Sequence, residues 1–363
     1  SNSAVGNNAL YSNTTASSNT AFGQSALQLN TTGAENVSVG ANALDACTTG
    51  SYNTAVGTAA LSASTTASFN DAFGRYALQD TTTGNNNSAF GVGTLMENST
   101  GSENTAFGSN ALQQNTTASF NTAVGRLALY LNTTGTDNTA VGVYSLDANT
   151  TGDYNTAIGR HSLGANTTGD KNVAVGGNAL FSNATGNNNV AVGYNSLDAN
   201  TADGNTAVGY HALILNTSGA DNCALGMESL KANTTGSDNN AFGRLALAAN
   251  TTGTQNTAMG HATLDANTTA SYNTAFGAVA LTNSTTGGLN VAVGYQALKA
   301  NTTAAENTAI GARGLEGNTT GTYNSAIGYA ALFSNTTGDY NNAFGRTALY
   351  SNTTASFNTA VGY

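Results

Sequence analysis

The sequence predicts an all-β protein, a parallel β-solenoid with a 17-residue repeat and about 22 turns. Three observations carry that expectation. Asn-x-x-x-Gly returns every 17 residues, in 22 copies from Asn2/Gly6 to Asn358/Gly362. Seventeen residues are too few for a pair of helices and suit one coil with a strand and tight links. Apolar residues also return at fixed places within each copy, which separates the chain from a disordered polar tract.

The consensus reads N-T-A-V-G-x-x-A-L-x-x-N-T-T-G-x-x, numbered here as positions 1 to 17. N-T-A-V-G reads as a strand, and A-L as the centre of a second one, with bends at the two polar links. The fourth position is always apolar, from Val5 and Phe22 to Val361, and the ninth is always Leu, from Leu10 to Leu349. These two columns are expected to form the core. Side chains alternate along a strand, so the third position, Ala in nearly every copy with Ser38 an exception, is expected on the opposite face. Its uniform small size suggests close contact with another chain.

Asn at position 1 and a second Asn column at position 12 read as structural, because stacked amides bond along a fibre axis and Asn caps bends. Gly at position 5 occurs in every copy and points to positive φ or a close backbone approach. The phase slips once, by one residue, between Gly193 and Gly209. A 51-residue rhythm, seen in Ala16, Ala67 and Ala118, overlies the first half. Residues 1–363 are therefore expected to be a single continuous array, a rod on the order of 100 Å long at ~4.8 Å per coil, with uncapped ends and belonging to a longer protein or filament.

Composition narrows the function classes. The chain has no Pro, which suits a backbone whose N–H groups nearly all join ladders. Nineteen acids and nine bases give a net charge of -10 with no basic stripe, so nucleic acid is not an expected partner. No apolar run reaches the ~18 residues of a membrane span. Cys47 and Cys223 lie about ten repeats apart at different repeat positions, too far for a disulfide between them.

No catalytic constellation emerges. His161, His211 and His261 are about three coils apart and cannot share a metal or proton relay. Asp153 with Asp170, and Asp221 with Asp238, stand on adjacent coils and could grip calcium, but the G-G-x-G-x-D repeat of calcium-binding rolls is absent. No enzyme activity, cofactor or metal is expected. A glycan-cleaving tailspike would need two carboxylates ~5–10 Å apart in a groove.

Binding is the remaining class. Tyr52, Phe69, Phe120, Tyr154, Tyr272, Tyr323, Tyr340 and Phe357 all precede the first-position Asn. Exposed rings among Asn and Thr suit a glycan or protein surface, or else a seam between bends. The Thr-Thr pairs raise ice binding as an alternative, although consecutive threonines in a bend face different ways.

Asn-Thr-Ala-Val-Gly-x-x-Ala resembles the N-S-x-A-[IV]-G-x-x-A repeats in the heads of trimeric autotransporter adhesins and of related bacterial and phage tail-fibre proteins; Asn155 to Gly169 looks most like the tail-fibre form. The resemblance covers the whole chain in short elements. It implies a left-handed β-roll, assembly as a homotrimer, and attachment to a host surface, matrix protein or glycan; the uncapped ends add the expectation of head-to-tail stacking into a filament. It also implies an extracellular, cell-surface or virion-fibre location. The 17-residue period is longer than in those heads, and so is the N-T-T-G link. The expected function is thus a structural and adhesive extracellular fibre.

Overall fold

The computed structural model describes residues 1–363 and contains 22 three-residue strands, one per repeat, and no helix. All strand pairing is parallel, and coils of 17 residues form the predicted β-solenoid. Contacts group the chain into two units, Ser1–Asn187 and Asn188–Tyr363. The first carries β1 (Ser3–Val5) to β11 (Val173–Val175), the second β12 (Val190–Val192) to β22 (Thr359–Val361). Register partners lie 17 residues apart, as in Thr20↔Val37. At the phase slip they lie 16 apart, Val190↔Thr206. Ala202 there serves as the carbonyl acceptor that position 15 supplies elsewhere, so the lost residue comes out of the Thr-Thr link.

The expected core is inverted. Strand burial alternates with the central residue inside, so Ala241 of β15 (Asn240–Phe242) is buried while Asn240 is exposed and Phe242 half-exposed. The Ala column is interior. The fourth-position column points outward, with Phe22 56% and Phe107 58% exposed. A 17-residue coil closes around a narrow lumen that Leu at position 9 already fills. Only a small residue fits across from it, and dense interiors do not absorb changes from Val to Phe. Ser38, the polar exception, is accommodated because its hydroxyl donates to the Ala43 carbonyl at 2.7 Å.

The second expected strand is absent too. Leu at position 9 has φ near +50°, as in Leu247 (+54°), and position 7 is also left-handed, so the A-L segment is a tight reversal and each unit has a single sheet. Its backbone still bonds to the next coil, Leu247 N donating to Thr263 O at 3.0 Å. Position 8 stays small because it is interior, and hydroxyls there donate to the position-5 carbonyl, as Ser229 does to Gly226 at 2.9 Å.

Both Asn columns are ladders through the interior. Asn239 N donates to Asn222 Oδ1 at 3.0 Å, and Asn239 Nδ2 donates to the same oxygen and to Gly253 O, at 3.1 and 2.9 Å. Asn250, at position 12, donates to Asn233 Oδ1 at 2.8 Å and also to Gly253 O at 3.0 Å. One carbonyl therefore takes both amides, which ties the two polar columns together in each coil. The invariant Gly has φ of +136° at Gly243 and +135° at Gly108, where a Cβ would sit 2.6 Å from the Gly125 carbonyl oxygen. Positive φ and close approach both apply.

Cys47 occupies position 12 and is buried, in place of an amide. Asn30 Oδ1, which such an amide would bond, is left without a partner. Cys47→Asn is therefore expected to stabilise the fold by about 1–2 kcal/mol, because it satisfies a buried acceptor. Urea unfolding checks this, and a loss of stability would contradict the ladder account. Burial also pushes the Cys47 thiol up to about 11.

Candidate interaction surface

The outer face of each sheet carries positions 2 and 4, because the alternation that buries Ala turns its two neighbours outward. Position 4 is apolar in every strand, and position 2 is charged only at Asp71. Parallel stacking brings like residues together: Phe73, Phe90 and Phe107 stack with centroids 4.8 and 5.6 Å apart. Contiguous exposed apolar surface of this kind makes the face a candidate interaction surface. Size variation at position 4 against constancy at position 3 was the signal that could have identified it from the sequence.

Two edges of opposite charge flank this face. Positions 16 and 17 precede each strand and carry Glu35, Glu103, Asp137, Asp153 and Asp170 in the first unit, and Asp203, Asp221, Asp238, Glu306 and Asp339 in the second. Lys171 is the one base among them. Positions 6 and 7 follow each strand and carry all six arginines and all three histidines, with Glu228 the one acid. The only two ion pairs, Lys231–Glu228 and Arg313–Glu316, lie on the basic side and its adjoining bend.

Position 16 also has a structural task. Its side chain accepts the backbone N–H of the preceding coil, as Asp153 Oδ1 does from Thr136 at 2.6 Å and Asp170 Oδ1 does from Asp153 at 2.8 Å. These carboxylates are engaged as caps, and no three His, Cys, Asp or Glu side chains converge on a common point. The surface holds no cavity. His161 stacks on Tyr144 at 5.0 Å and His211 on Tyr210 at 3.7 Å.

The eight candidate aromatics all stand at position 17 and are exposed. Tyr52 stacks on Phe69 at 4.9 Å, and Tyr323, Tyr340 and Phe357 form a ladder at 4.7 and 5.1 Å. Rings stacked this way cover one another's faces and leave their edges to solvent. Phe120, Tyr154 and Tyr272 have no aromatic neighbour in the column, so their ring faces are not taken up by stacking. The Thr pair divides its work: Thr150 donates its hydroxyl to the Thr167 carbonyl at 3.0 Å, while Thr151 is exposed.

Position 10 holds Asp45, Asp147, Asp198 and Asp265, each half-buried, and desolvation raises each carboxyl above its ordinary 3.8. Asp45 has no histidine among the influences on it. A raised carboxyl destabilises the folded chain above its folded pKa, and that penalty disappears as the pH falls below the ordinary value. Asp45→Asn is thus expected to stabilise the protein at pH 7, with the gain shrinking toward zero below pH 3.8. Melting curves of both chains across that range test it; a gain that grew on acidification would reverse the sign.

No protein-family model matches the chain, and no curated protein matches it in sequence.

Proposed function

We propose that this protein is a structural and adhesive extracellular fibre, a homo-oligomer whose copies associate through the outward sheet face. The carrying observation is the apolar position-4 column, set on a flat face almost free of charge. Water-facing strands of a solitary coil have no need of Val, Ile and Phe at every step, whereas covering that face on each coil would bury apolar area along its whole length. The resemblance to adhesin heads and tail fibres favours three copies. The Thr-Thr bends, with exposed Thr at position 14, would then remain free for attachment to a host surface, matrix protein or glycan.

Cys223 reports on this reading because it stands at position 2, half-exposed on that same face. Light scattering is expected to give an oligomer, in which Cys223 resists alkylation until the protein is dissociated. A monomer with rapidly modified Cys223 would sink the proposal. Thermal hysteresis in that monomer would favour ice binding instead, since Thr at position 2 and Val or Ile at position 4 present evenly spaced hydroxyls and methyls. The seven Phe residues at position 4 interrupt such a regular surface.

A further inference from the structure

We infer that the copies lie parallel and in register, the acidic edge of each chain against the basic edge of the next. This inference rests on the homo-oligomer reading and specifies its geometry. Chains related by rotation about an axis along the coil stack present opposite edges to each other. Antiparallel chains packed face to face present like edges, acid to acid and Arg to Arg. Only the first arrangement matches the charges, and like-charge contacts act against the second.

The arginines add a second observation. Each follows a strand whose other end carries a side chain that suits a guanidinium, either a ring or a carboxylate. In the first unit Arg75, Arg126 and Arg160 answer Phe69, Phe120 and Tyr154. In the second, Arg244, Arg313 and Arg346 answer Asp238, Glu306 and Tyr340. Six or seven residues of extended chain separate the two members, about 20 Å, so they cannot meet within one copy. Both Asp238 and Arg244 are exposed at opposite ends of β15. Neighbouring copies at the same level bring each arginine to the other copy's partner. Some arginines also hold local contacts, such as Arg75 to the Tyr76 hydroxyl at 2.6 Å, which keep the guanidinium on that edge.

Cysteine pairs test the arrangement in a Cys223→Ser background, with a short bis-maleimide as the probe and light scattering in parallel. The double variant Asp238→Cys/Arg244→Cys is expected to crosslink between copies into covalent multimers, while either single variant stays uncrosslinked. Dimers from a single variant would show like edges in contact and overturn the inference. An oligomer by light scattering with no crosslinking in the double variant would overturn the edge pairing and leave the fibre reading standing. A monomer would remove the fibre reading itself.

Discussion

Asn239→Asp is expected to destabilise the second unit by about 3–5 kcal/mol at pH 7, while Asn240→Asp, one residue along, changes the stability of the dissociated chain by less than about 0.5 kcal/mol. The two substitutions are the same in chemistry and differ only in side. Asn239 is fully buried, and its Nδ2 donates to Asn222 Oδ1 and Gly253 O. A carboxylate there sets an acceptor against two acceptors at 3.1 and 2.9 Å and buries a charge with no cation beside it. Asn240 points to solvent. Protonation would restore one donor, so the Asn239→Asp defect should shrink as the pH is lowered. Urea unfolding at pH 7 and pH 4 measures both effects. Equal losses for the two variants would mean that the amide columns are not the interior frame described above.

Ala241→Leu is expected to cost about 3 kcal/mol, and Phe242→Leu less than about 1 kcal/mol in the dissociated chain. Ala241 is 0% exposed in a lumen whose remaining space holds Leu247 and the two amides. Three further carbons have no room unless the coil opens and its ladder bonds to neighbouring coils lengthen. Phe242 lies on the outer face, where a change of volume meets solvent or another copy. Its substitution should therefore alter association more than folding. Denaturant titration of both variants at low concentration, with light scattering of the same samples, separates the two effects. A larger folding loss for Phe242→Leu would restore the original assignment of the core.

The candidate surface was legible only in part. The position-17 aromatics read from the letters either as a binding surface or as a seam between bends; in the structure all eight are exposed, and five of them stack on one another. Their mutual stacking follows from the period alone, because parallel coils place residue n beside residue n+17. The position-4 column was assigned to the wrong side, since hydrophobicity ranks Val and Phe above Ala and says nothing of the space available. The charge polarity of the two edges was present in the letters. It gained meaning only once the outer face between the edges was known, because a distribution over repeat positions has no geometry until the coil is closed.

By itself, the sequence determined the period, the N-T-A-V-G strand, the parallel pairing, the two amide ladders and the conformation of the invariant Gly. All of these depend on identity repeating at fixed spacing, and stacking converts such repetition into columns without further information. The tertiary structure decided which face of the strand turns inward and that the A-L segment is a reversal. Alternation defines two faces and does not say which is inside. That choice belongs to the width of a 17-residue coil, where Leu247 and its counterparts leave room opposite for nothing larger than Ala.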